Sequence, residues 1–138
     1  MTLPVTAFVA AICAIMLLIT AIDTVRQRLR LKTAFGDADD PKLISASRSH
    51  ANLAEHAPIV ILLIATLELS NAHHVALMAV SVLFLVGRVA HIVGLYTPSE
   101  PGKAPFGRQI GVMATWFTLA MLSGWNACLL PLLSPSPS

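Results

Sequence analysis

Three long stretches of this chain carry no charged side chain: residues 1–22, 69–87 and 109–138. A helix needs about 20 mostly apolar residues to cross the hydrocarbon of a bilayer, so each stretch is long enough, or nearly so, to span one. A water-soluble domain of this size offers too little polar surface to hide such runs. With 138 residues the chain has room for one core, yet only 12% of its residues are charged and its mean hydropathy is +0.76, where about a quarter charged is usual for a soluble domain. Disordered, collagen-like and disulfide-scaffold classes are excluded by the same composition. Cys13 and Cys128 both lie in apolar runs, where burial would leave them inert, and they carry no information about redox compartment.

A fourth candidate span is less clean. It begins near Ile44, carries Arg48, His50, Asn52, Glu55 and His56 in its first half, and becomes apolar from Ala57 through Leu67. Charge inside a span is costly and marks a functional site by default. No segment shows the sustained alternation of a barrel strand, and the runs are rich in Ala, Leu, Ile and Val, which argues for helices. The expected fold is all-α, an integral membrane four-helix bundle. It forms a single domain over 1–133, with spans at about 3–25, 44–68, 73–96 and 107–130 and a flexible tail at 134–138. Turn signals fall between the spans at GDADDP (36–41), SNAHH (70–74) and TPSEPGKAPFG (97–107). Because no basic residue precedes the first apolar run and a basic cluster follows it, that run reads as an anchor rather than a cleaved signal peptide.

Orientation follows from the basic residues, since cytoplasmic loops are enriched in Lys and Arg. If both termini face outward, all nine of them (Arg26, Arg28, Arg30, Lys32, Lys42, Arg48, Arg88, Lys103, Arg108) fall at or near the cytoplasmic side. A formal net charge of +2 therefore conceals a strongly polarised molecule. The cluster Arg26 to Lys32 is explained by topology, and without interleaved aromatics it gives no reason to expect nucleic-acid binding.

Arg48, Asn52 and Glu55 stand at i, i+4 and i+7 and share one helical face. Arg88 and His91 share a face of the third helix near the same boundary, and Arg108 opens the fourth helix at that depth. Helices alternating in direction bring these groups to one level. Such a ring of Arg, Asn, Glu and His suits a small zwitterionic ligand rich in carboxylates.

The segment SASRSHANLAEHAP (45–58), with Arg48, His50, Asn52, Glu55 and Pro58, resembles the second-helix signature of the MAPEG family, membrane-associated proteins in eicosanoid and glutathione metabolism. GRVAHIVGLY (87–96) resembles the family's Arg-x-x-His segment with a nearby Tyr, and APFGR (104–108) its Pro-then-Arg approach to the fourth helix. The resemblance covers nearly the whole chain and is nearest to the small bacterial branch of the family. It implies a homotrimer in the bacterial inner membrane with both termini periplasmic, and glutathione as co-substrate bound between subunits near the cytoplasmic face. The activity implied is transferase- or peroxidase-like, on a lipophilic small molecule reaching the site from the membrane lipid.

The resemblance also implies roles. Glu55 would hold the glutathione α-ammonium and Asn52 a backbone amide or carboxylate. Arg28, or its neighbour Arg26, and Arg88 would pair with carboxylates, which a guanidinium fork matches bidentately. Arg48, His91 and Tyr96 complete the expected binding set. Arg108 is the expected catalytic residue, because a fixed cation beside the sulfur favours thiolate over thiol. The departures bear on catalysis more than on fold. Ala51 stands where many catalytic relatives carry a second Arg. Leu95 takes the place of a Tyr, with Tyr96 one step on and about 100° around the helix. Gln109 and Val112 supply no hydroxyl beside Arg108.

Two further readings accompany the enzyme. In one the same pocket binds glutathione or a lipid without turnover, and in the other the polar stripe only cements helices together. No metal site is expected, since the adjacent His73 and His74 have no Cys or carboxylate cluster beside them. His50 and His56, off the stripe, are expected to be packed or hydrogen-bonded, and Glu68 to face water or a helix interface. Trp125 suits an interfacial belt, and Trp116 a hydrophobic substrate groove. Gly87, Gly94, Gly111 and Gly124 suit close helix approach, with Gly107 and Gly111 a small-xxx-small pair.

Overall fold

The computed structural model describes residues 2–98 and 102–133, and the side chains through residue 129. The expected tail at 134–138 and the middle of the 97–107 turn lie outside the described residues. Four helices follow one another: α1 (Pro4–Leu31), α2 (Pro41–Leu69), α3 (His74–Tyr96) and α4 (Phe106–Leu133), with no strand among the described residues. Each is long and apolar enough to cross a membrane. The protein is an all-α, four-helix membrane bundle.

Local chemistry sets the helix ends. Pro4 and Pro41 sit in the first turns of α1 and α2, where a missing N–H goes unmissed and the fixed φ fits the helix. Asp40 caps α2 by accepting the Leu43 N–H at 2.9 Å. The His73 ring does the same for α3, its Nδ1 accepting the Ala76 N–H at 3.3 Å. Helix α1 runs six residues past the expected span end at 25, carrying Arg26, Arg28 and Arg30 on helix rather than loop, and stops at Lys32 in the left-handed region (φ 52°). Arg28 then donates to the carbonyls of Ala34 and Gly36, both at 3.1 Å, and so braces the turn that follows.

The core follows the helical period. On α1 it takes Val5, Val9 and Cys13, and on α2 Leu53, Ala57, Val60, Ile64 and Leu67, all essentially inaccessible. The opposite faces expose Leu18, Ile19, Leu62, Met113 and Trp116, as lipid-facing surfaces should. Helices α3 and α4 approach each other through glycine. A Cβ on Gly87 would lie 2.7 Å from that of Ala114, and one on Gly107 would lie 2.9 Å from the Ala90 carbonyl. Side chains at Gly94 and Gly111 would collide with the backbone of Arg108 and with His91, respectively. Gly124 differs from the expectation, because nothing lies within 4 Å of the Cβ it lacks.

Candidate functional site

Since the helices alternate in direction, the C-terminal ends of α1 and α3 and the N-terminal ends of α2 and α4 share one end of the bundle. All nine basic residues lie there. Between α2, α3 and α4 at this end is a cleft of about 130 Å³, lined by Arg48, Ala51, Asn52 and Glu55 from α2, His91 and Leu95 from α3, and Arg108 from α4. Arg48, Glu55 and Arg108 are exposed, and none has a hydrogen-bond or ion-pair partner among the described residues. His91 is 4% exposed and forms the inner wall. Its close seating depends on Gly111, whose missing side chain leaves room for the His91 Cβ.

Three residues of the expected binding set lie outside the lining of this cleft. Arg88 is 2% exposed and points into the bundle. Its Nη1 donates to Asn52 Oδ1 at 2.7 Å, its Nη2 donates to the Gly111 carbonyl at 3.0 Å, and its guanidinium carbon stands 5.8 Å from the Phe84 ring centre. It is thus absent from the cleft wall and supports a residue that forms it. Tyr96 donates its hydroxyl to Asp23 of α1 and faces a separate groove with Lys42 and Ser45, leaving Leu95 at the cleft. The step of about 100° between neighbouring helical residues accounts for the exchange. Arg28 lines an adjoining groove of about 510 Å³ with Arg48, Asp37 and Ser47.

Other polar residues have structural partners. His56 Nδ1 pairs with the Asn52 carbonyl at 2.7 Å, so that nitrogen carries the proton, and His50 Nδ1 pairs with Thr20 Oγ1 at 3.1 Å. Trp125 packs on the core, while Trp116 is 66% exposed on α4, outside the cleft. Cys13 is buried, whereas Cys128 is exposed. At the far end of the bundle sequence reasoning missed Asn126, while Glu68 lies at a helix interface, one of the two placements expected for it. Glu68 accepts the N–H groups of Val5 (2.8 Å) and Thr6 (2.9 Å) and the Thr6 hydroxyl (2.7 Å), capping α1 from α2. Asn126 accepts from Thr66 at 2.6 Å and donates to the carbonyls of Leu63 and Leu122.

The sequence profile of the MAPEG family matches residues 6–128, the whole run of helices that builds this cleft. The chain belongs to the MAPEG family. It is similar to the "Inner membrane protein YecN" of Escherichia coli strain K12 and of strain O6:H1. Each is 30% identical over 127 residues, covering 92% of this chain and 93% of the relative. No solved structure matches it. Within this MAPEG chain the signature on α2 divides by face: Arg48, Asn52 and Glu55 line the cleft, while His50 and His56 bind neighbouring polar atoms.

Proposed function

We propose that the protein is an inner-membrane, glutathione-dependent transferase or peroxidase acting on lipophilic electrophiles. The observation that carries this reading is the convergence of Arg48, Glu55 and Arg108 without partners among the described residues on one cleft beside Asn52 and His91. Exposed charges of both signs that line one cleft and take no partner from the fold leave their hydrogen bonds open to a ligand. Glutathione carries complementary groups: an ammonium for Glu55, carboxylates for the arginines and a thiol for Arg108. A cleft of about 130 Å³ falls below the roughly 300–1,000 Å³ of typical ligand sites, so a neighbouring subunit of a homotrimer supplies the rest of the wall. Arg28, which lies outside its own subunit's cleft, is the candidate contribution to that wall. The basic end faces the cytoplasm, with both termini periplasmic.

In this reading Arg108 holds the sulfur as thiolate. The sulfur lone pair forms the new bond to an electrophilic carbon of a substrate arriving through the lipid, and a leaving group such as chloride departs with its bonding pair. Arg108→Ala should lower the rate of chloronitrobenzene conjugation by purified protein about 10²-fold, the scale for losing one charge-stabilising donor. Equal rates in both proteins would remove Arg108 from the chemistry.

A second reading is favoured by what the cleft lacks. Ala51 and Leu95 line it without polar atoms, Tyr96 is committed to Asp23, and Gln109 donates to the Ala104 carbonyl at 2.7 Å. The pocket would then hold glutathione or a lipid without turnover. Thermal stabilisation by glutathione and by an S-alkyl analogue, with no conjugation of any of several electrophiles, would select it.

A further inference from the structure

A guanidinium has five N–H donors and no acceptor. Whatever atom of the Asn52 amide faces Arg88 must therefore be its oxygen, and the 2.7 Å contact places Oδ1 there. The amide is then oriented, since the nitrogen must take the other direction. Asn52 lines the cleft, and its Nδ2 has no partner among the described residues, yet it is not among the buried side-chain nitrogens and oxygens that lack one. That NH₂ group is therefore open to the cleft.

Arg88 is itself held on several sides. The Gly111 carbonyl takes its second bond, the Phe84 ring flanks it, and Thr115 donates to the same carbonyl at 2.8 Å. At 2% exposure it can neither reach ligand nor turn toward the headgroups. We infer that Arg88 is a positioning residue that locks the Asn52 amide with its NH₂ toward the cleft, so that the ligand atom held at Asn52 is an acceptor, a carboxylate or amide carbonyl oxygen. Naming glutathione as the source of that oxygen rests on the proposed function. The lock itself does not.

The experiment uses the full chain in detergent, reading glutathione Kd well below the unfolding temperature together with Tm without ligand. Asn52→Asp keeps an acceptor for Arg88 and replaces the cleft-facing donor with an acceptor. Its ligand-free Tm should match or exceed that of the wild type while Kd weakens at least about tenfold, the scale of one charge-assisted hydrogen bond lost. Arg88→Lys, still donor-only, should keep Kd within about threefold. Arg88→Met, which frees the amide to turn over, should weaken Kd about tenfold. A wild-type Kd in Asn52→Asp or in Arg88→Met would overturn the assignment, because a role confined to stability would move Tm alone. If the wild type shows no response to glutathione, the glutathione reading fails and the ligand-free arm decides the lock. Asn52→Asp holding Tm while Asn52→Leu lowers it supports the lock, and equal losses in both overturn it.

Discussion

The two ends of the bundle use polar residues in opposite ways. At the end holding the N-terminus of α1, Glu68 satisfies backbone and hydroxyl donors of Val5 and Thr6, and Asn126 makes three bonds to Thr66, Leu63 and Leu122. Each is used up within the fold. At the basic end Arg48, Glu55 and Arg108 gather around a cleft with no such partners among the described residues. A partly buried polar group is tolerated when its hydrogen bonds are made, so the far end reads as assembly. The cleft at the basic end, with the bonds of these three residues left open, reads as recognition. Arg88 lies between these cases: it belongs to the fold, but its bond reaches a residue of the cleft.

The largest effect is expected where one residue serves both packing and site. Gly94→Ala would drive a Cβ into the backbone of Arg108 and force α3 and α4 apart at the cleft. Destabilisation of about 2–3 kcal/mol, the upper part of the overpacking range, should come with loss of any glutathione response. Gly124→Ala, with open space around it, should unfold at or above the wild-type temperature. A Gly94 variant as stable as Gly124→Ala would break the claim that the basic end depends on close helix approach.

Glu68→Ala comes next and separates the two ends. It removes all three bonds to Val5 and Thr6 and leaves the first turn of α1 with no side-chain cap. About 2 kcal/mol of stability should be lost, and ligand affinity below the unfolding temperature should stay unchanged. A shift in affinity would show that the ends are coupled through α1 and α2.

The bundle was legible because membrane insertion demands long apolar runs, and it sorts basic residues by side. Four spans and the level of Arg48, Asn52, Glu55, His91 and Arg108 followed from those two constraints and helical spacing. Side-chain direction was harder to read. Arg88 has the sequence context of a ligand contact, yet its fate was set by an available carbonyl at Gly111 and an amide at Asn52, both on other helices. Tyr96 turned to Asp23, a residue with no motif around it. Glu68 capping a helix more than 60 residues earlier in the chain left no local pattern. Gly124 has the composition of a packing glycine, but no neighbour reaches it.

Glu55→Gln tests the open end with a smaller change. The substitution keeps size and removes charge at an exposed residue with no partner among the described residues, so ligand-free Tm should hold. Glutathione Kd should weaken about tenfold, the cost of turning one charged hydrogen bond neutral. If Tm falls instead and Kd is unmoved, Glu55 belongs with Glu68 as a residue of assembly.

The smallest effect is expected at Asp40, in the connection before α2 at the basic end. Its Oδ1 accepts the Leu43 N–H at 2.9 Å and meets Arg30 Nη2 at 2.6 Å, the one ion pair among the described residues. The Leu43 N–H, with Arg30 assisting, holds the Asp40 carboxyl below its ordinary value of 3.8. A carboxyl lowered by folding adds stability that is fully present above 3.8 and is lost as pH falls through the lowered value. Asp40→Asn keeps a cap oxygen but has no charge to titrate, so its Tm should sit slightly below wild type at pH 7 and converge with it as pH falls through the lowered value. Parallel curves that never converge would mean that the ion pair adds nothing, as exposed pairs often do not. Convergence would place the working charge pair of this end in its loop, with the cleft charges still free for a ligand.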